Sequence, residues 1–153
     1  MSGPEKIHVS DLPNAVGKEF VSDWVLVDQK RINEFADVTD DHNFVHVDLE
    51  RARALRGHTI AHGLLTMTLL PGLSYKLLEV TGCDHALNYG LEKVRFTGIV
   101  PVDTRVRLRL KIKSVEKKGA GIVLTNQFTF EREGEEKPAV VGESLGMFFA
   151  KAA

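Results

Sequence analysis

His62-Gly63-Leu64-Leu65-Thr66-Met67-Thr68-Leu69-Leu70-Pro71-Gly72-Leu73-Ser74-Tyr75-Lys76-Leu77-Leu78 is the stretch whose reading decides the fold. Leu64, Leu65, Met67, Leu69, Leu70, Leu73, Leu77 and Leu78 surround most of a helical circumference and leave few charges to mark a wet face, so the spacing predicts a helix buried nearly all round. Pro71 lacks the amide that a helix interior needs and should bend or interrupt it. The apolar run is a poor membrane span, because His62, Lys76 and Glu79 interrupt it and it carries Pro71-Gly72. A helix of this kind needs a sheet that curls around it.

Downstream, the sequence supplies one. Arg105 to Lys113 alternates strictly, apolar at even positions and basic at odd ones, the pattern of a half-buried antiparallel strand. Lys118-Gly119-Ala120-Gly121 reads as a turn, and Ile122, Leu124, Phe128 and Phe130 continue the even apolar register on the way back, which predicts a hairpin. After a second turn at Glu133 to Pro138, Ala139 to Ala150 reads as a last strand with Val141, Met147 and Phe149 as core candidates. Upstream, Lys18 to Asp28 reads as extended. Asp28 can cap a short helix through Ile32, Phe35, Ala36 and Val38, and Thr39 to Asn43 has the turn chemistry to end it. Asp48 can cap a second small helix over Glu50 to Leu55, with Gly57 as its stop. Helices first and long antiparallel strands afterwards make an α+β chain. Its expected architecture is the hotdog, a curved antiparallel sheet wrapped around a long central helix.

At 153 residues, 43% hydrophobic and 27% charged, the chain is expected to form one domain over 1–153, with its core at about 17–150. Twenty Lys and Arg face 21 Asp and Glu, a net charge of -1, so no global basic field points to a nucleic-acid partner. Cys83 is the single cysteine, which excludes an intrachain disulfide and a multi-cysteine metal cluster. The polar start Met1 to Lys6 lacks the apolar region of a signal peptide, and the cytoplasm is the expected compartment, with no membrane partner.

Two features carry candidate chemistry. In Asp41-His42-Asn43-Phe44-Val45-His46, residues 41 and 46 converge neither on an ideal helix nor on a strand, only on irregular backbone. A carboxylate and an imidazole so placed can orient and polarise a water; equally, Asp41 can cap an amide and His46 be a satisfied loop residue. Ile60-Ala61-His62-Gly63 enters the long helix, where unpaired amides at the positive end of the dipole can polarise a carbonyl oxygen and Gly63 permits close approach. Gly63 can equally serve tight packing of helix on sheet. The pairs His42/His46 and His58/His62 have zinc-ligand spacing, but Gly57 to Ile60 reads as loop, and no metal is expected. The basic face Arg105, Arg107, Arg109, Lys111, Lys113 reads as a solvated sheet face, since no aromatic residues are interleaved to stack on bases.

Phe35-Ala36, then Asp41-His42-Asn43-Phe44-Val45-His46, then Ala61-His62-Gly63 opening a long apolar helix, resembles the MaoC-like dehydratases, the (R)-specific enoyl-CoA hydratases. Val94-Arg95-Phe96 with Pro101-Val102 looks like the strand and turn that follow the helix in that family. Asn88 to Lys93 and Ser22-Asp23-Trp24 place the resemblance in its NodN-like branch. It spans about Gly17 to the last strand. The resemblance implies Asp41 and His46 as the catalytic pair, the Gly63 amide as part of the oxyanion hole, and Asn43 and His62 in support. It implies an acyl-CoA thioester as substrate, with no cofactor, and a paired hotdog with sites near the interface, a homodimer. Lys93 and Arg95 are candidates for CoA phosphates. Four positions depart from the family pattern: Asp40 and Asp103 stand where glycine is common, Phe44 where proline is common, and Pro71 where some hydratases place a serine.

The expected reaction is addition of water to a trans-2-enoyl-CoA to give the (R)-3-hydroxyacyl-CoA. The alternatives are a hotdog acyl-CoA thioesterase and a non-catalytic acyl-CoA binding protein.

Overall fold

Period-two patterning in the second half of the chain and capped helices in the first are built as the sequence reads. The computed structural model describes residues 3–150; Met1, Ser2 and 151–153 lie outside it. In chain order the elements are β1 (Glu5–His8), a 3-10 helix (Val9–Ala15), β2 (Glu19–Val21), β3 (Val25–Val27), α1 (Gln29–Thr39), α2 (Phe44–Val47), α3 (Leu49–Arg56), α4 (Gly63–Thr68), α5 (Leu70–Leu77), β4 (Leu78–Thr81), β5 (Cys83–Phe96), β6 (Thr104–Lys118), β7 (Gly121–Arg132) and β8 (Val140–Ala150).

One antiparallel sheet runs β2-β6-β7-β8-β5, with β3 also pairing β6. The fold is the expected α+β hotdog, the sheet curling over α4 and α5. Alternation puts Val106, Leu108, Leu110 and Ile112 of β6 on the inner face. There they join Leu124, Phe128 and Phe130 of β7 and meet Leu65, Leu70 and Leu73 of the helices in one core. On the outer face Glu131 accepts from Arg107 and Arg109, Glu19 pairs with Arg109 and Lys111, and Trp24 lies under Arg107 at 4.5 Å. The basic stripe is therefore largely neutralised within the sheet. The segment before β2, given no structure by the sequence reading, supplies β1, which pairs in parallel with β4 and buries Ile7.

Local signals act as read at several points. The Asp28 carboxylate accepts from Arg31 N at 2.9 Å to start α1, and Asp48 accepts from Arg51 N at 3.0 Å to start α3. Gly57, at φ +86°, ends α3. Pro71 falls in the first turn of α5, directly after the break from α4 at Leu69.

Three expectations are corrected. Val38 is 79% exposed, because it lies about 240° round the helix from buried Ile32. In β8 the inner positions are Val140, Gly142, Ser144, Gly146 and Phe148, which pair in register with the inner residues of β7, so Val141, Met147 and Phe149 face outward. The inner face is small there because Phe128 fills it: a Cβ on Gly142 would lie 2.7 Å from the Phe128 ring. Finally, the long helix is buried on one side only, with Leu64 and Tyr75 52% and 68% exposed. The open side accompanies an exposed edge strand, β5, whose Leu87, Tyr89, Leu91 and Phe96 are also exposed.

Asp40 and Asp103, the two positions where the family favours glycine, both adopt left-handed backbone, at φ +58° and +61°. A side chain costs energy there, and aspartate only partly escapes the cost. Asp40→Gly should therefore raise stability by up to about 1 kcal/mol, or Tm by about 2–4 °C for a chain of this size, measured by thermal unfolding.

Candidate active site

The turn at Asp40 ends α1 and sends the chain back on itself. Asn43 then caps the single-turn helix α2, its Oδ1 accepting from Val45 N at 3.2 Å, and His46 rides on that turn. The sequence read this segment as loop throughout; residues 44–47 are one helical turn, and the irregular backbone is confined to 40–43. Phe44 takes the first helical position, where proline is also favoured, and Arg51 lies over its ring at 3.8 Å. His46 is fixed from both ends. Its carbonyl accepts from Gln29 Nε2 at 2.8 Å, and its Nδ1–H donates to Ile60 O at 2.7 Å, which leaves the Nε2 lone pair free. Residues 59–61 are held in turn by backbone bonds Ala61 N to Val100 O and Val102 N to Thr59 O.

His62, 3% exposed, lies against this pair. Its Nε2–H donates to the backbone carbonyl of Asp41 at 2.9 Å and sits 4.0 Å from the Asp41 carboxylate, and its ring stacks on His46 with centroids 3.7 Å apart. Phe35 of α1 packs on its flank, with centroids 5.0 Å apart. One ligand atom each from Asp41, His46 and His62 falls within 4.8 Å of the others. That set fits a metal poorly. Imidazoles stacked 24° from parallel present their lone pairs side by side rather than towards one point, and the nearer His62 nitrogen carries its proton to a carbonyl. His42 and His58 stand apart, bonded to Asp37 and to the Thr59 carbonyl.

Burial lowers the His46 pKa from its ordinary 6.5, and nearby His62 lowers it further, against the raising influence of the Ile60 hydrogen bond and of Asp41. His46 is accordingly neutral near pH 7 and able to accept a proton. If catalysis needs that neutral form, kcat/KM should be flat through neutrality and fall only as pH drops through a midpoint below 6.5, as a pH–rate profile will read.

Gly63 opens α4, and its N–H has no hydrogen-bond partner among the described residues. A cavity of about 280 Å³ is lined by His46, Ile60, Gly63, Thr66, Phe96 and Val140, so the imidazole and the helix start share one space. Its wall explains the glycine, since a Cβ at residue 63 would lie 2.6 Å from the Phe96 ring. Farther along the same helices, a half-open groove of about 440 Å³ lies between α4–α5 and the inner face of β5 and β8, lined by Met67, Leu70, Pro71, Ser74, Leu91 and Phe148 among others.

Asp41, Asn43, His46, His62 and Gly63 are thus brought together. Lys93 and Arg95 are not: they belong to β5, where Lys93, at φ +53°, bonds Glu143 at 3.3 Å and Arg95 bonds the Val94 carbonyl. The sequence reading missed Gln29 and Thr59, which bond each other and tie α1 to the site, and also Thr66 and Phe96 as cavity lining. Only a polar residue buried amid apolar ones, as Thr66 is within α4, offered a signal.

The profile of the MaoC-like domain matches residues 11–129. The 3-hydroxyacyl-thioester dehydratase Z of Mycobacterium tuberculosis is 48% identical over 145 residues, covering 93% of this chain and 96% of that protein. Nodulation protein N of Rhizobium leguminosarum bv. viciae is 40% identical over 140 residues, covering 88% of this chain and 87% of that one. Among solved structures, the R-hydratase PhaJ1 from Pseudomonas aeruginosa aligns with TM-score 0.73 at 23% identity, covering 89% of this chain and 83% of that one, and shows the shared fold. With this coverage, and with relatives of the NodN-like branch among the matches, the chain belongs to the MaoC-like dehydratases, a family of hydro-lyases.

Proposed function

We propose that the protein is an (R)-specific enoyl-CoA hydratase, adding water reversibly to a trans-2-enoyl-CoA to give the (R)-3-hydroxyacyl-CoA. The observation that carries this reading is the shared space of His46 and the Gly63 N–H, with the Asp41 carboxylate beside the imidazole. Similarity to a 3-hydroxyacyl-thioester dehydratase supports it.

The thioester oxygen accepts from Gly63 N–H, which draws electron density from C3. A water held between Asp41 and His46 attacks C3, the C2–C3 π pair moves towards C1, and negative charge collects on the thioester oxygen as an enolate. The proton lost by the water goes to the Asp41/His46 pair, and the pair returns a proton to C2. One water is added, the thioester survives, and no electrons enter or leave. Asn43 and His62 are positioning residues here: the first builds the turn under His46, and the second ties its ring to the Asp41 backbone. The acyl chain runs along α4 and α5 into the apolar space beside Met67 and Leu70.

The test is loss of enoyl absorbance across acyl chain lengths alongside titration of released thiol. Hydration without thiol release is expected; stoichiometric CoA release replaces this reading with a thioesterase, and binding without turnover with an acyl-CoA carrier.

The working form is proposed to be a homodimer, in the cytoplasm. The sequence pattern calls for a helix covered on all sides, yet this chain leaves Leu64 and Tyr75 open beside the exposed apolar residues of edge strand β5. A second copy placed along β5 covers both and pairs a free sheet edge. Light scattering at micromolar concentration should give twice the 17.0 kDa chain mass; a monomer contradicts it.

A further inference from the structure

We infer that the Thr66 hydroxyl is a second hydrogen-bond donor to the thioester oxygen, beside Gly63 N–H, an assignment that rests on the hydratase reading above. Thr66 is 1% exposed, yet its Oγ1 has no hydrogen-bond partner among the described residues. A hydroxyl on a helix ordinarily satisfies itself on the carbonyl four residues back. Here Thr66 Oγ1 makes no such bond, and the His62 carbonyl accepts only the regular helical bond from Thr66 N, at 3.3 Å. His62 Nδ1, one turn earlier, is also buried without a partner, so the two groups do not satisfy each other.

A buried hydroxyl left unpaired is costly, and valine would fill the same volume without that cost. Thr66 lines the cavity that holds His46 and Gly63. It lies three residues after Gly63 on α4, and side chains on a helix lean towards its N-terminus, which tilts Thr66 towards the Gly63 end. Leu64 and Leu65 N–H also lack partners among the described residues, but of the free donors at this helix start only the Gly63 N–H and the Thr66 O–H belong to residues that line the cavity. An oxygen that gains negative charge during reaction is the acceptor both can serve, and two aimed donors stabilise it more than one.

The test compares wild type, Thr66→Val and Thr66→Ser in crotonyl-CoA hydration, thermal unfolding, and calorimetric binding of butyryl-CoA against its thioether S-butyl-CoA, which lacks the oxygen. Thr66→Val should lower kcat by about tenfold to a hundredfold, and should weaken thioester binding about fivefold while leaving thioether binding unchanged. Its Tm should be equal to or above that of wild type, and Thr66→Ser should recover most of the loss. Equal weakening of both ligands, or unchanged kcat and binding in Thr66→Val while wild type hydrates crotonyl-CoA, overturns the role of Thr66 alone. Wild type that binds neither ligand and hydrates nothing overturns the hydratase reading and this assignment with it.

Discussion

Asp41→Asn and His46→Ala are each expected to lower kcat for enoyl-CoA hydration by about a hundredfold to ten-thousandfold, the range for removal of a positioned acid or base. The geometry makes the two changes different in kind. Asp41 is half-exposed, and its side chain accepts only a long bond from Asn43 N at 3.4 Å, so Asp41→Asn should leave Tm unchanged. His46→Ala also removes the donor to Ile60 O and the ring that stacks on His62, so a fall of about 2–4 °C is expected from one lost hydrogen bond of about 1 kcal/mol. If both groups act on one water, as proposed, the double variant should be little slower than the poorer single one. Near-normal kcat in either single variant, read by stopped absorbance assays beside thermal melts, would show that the reacting groups lie elsewhere.

Gly63→Ala should cost about a hundredfold in kcat, the scale of losing one oxyanion donor. The new methyl would stand 2.6 Å from Phe96 Cδ1 and 3.0 Å from Cε1, so the ring must swing away or the helix start must shift. Either movement disturbs the wall of the cavity that Gly63 and Phe96 both line. Alanine is the better helix former, so the melt should not fall in proportion to the rate. The combination Gly63→Ala with Phe96→Ala separates steric from electrostatic causes. Partial recovery of kcat in the double variant is expected, and no recovery would mean that Phe96 is not what the glycine makes room for.

Much of the fold was legible because strand alternation and helix caps are local. The even apolar register of β6 and the Asp28 and Asp48 caps needed no tertiary information. β8 misled because its inner face carries Gly142 and Gly146, room for the Phe128 and Phe148 rings, while larger apolar residues face outward. The helix that reads as buried all round is half open because one chain covers one side of it.

At the site, the turn chemistry of residues 39–43 showed that Asp41 and His46 could meet. What local pattern could not show was the stacking of His62 from 16 residues away, the brace from Gln29 at the start of α1, or the arrival of Phe96 from β5. Those contacts exist only once the sheet has curled. Lys93 is a similar case: its left-handed backbone in β5 and its bond to Glu143, 50 residues on, are likewise not legible from its neighbours in sequence.

Hydration of crotonyl-CoA in deuterium oxide, with chiral and isotopic analysis of the product, tests the central claim most directly. A single water held by Asp41 and His46 over one face of the substrate predicts (R)-3-hydroxybutyryl-CoA with the thioester intact, and with deuterium at C2 on the same face as the new hydroxyl. Mainly (S) product, or hydroxyl and deuterium on opposite faces, would contradict it.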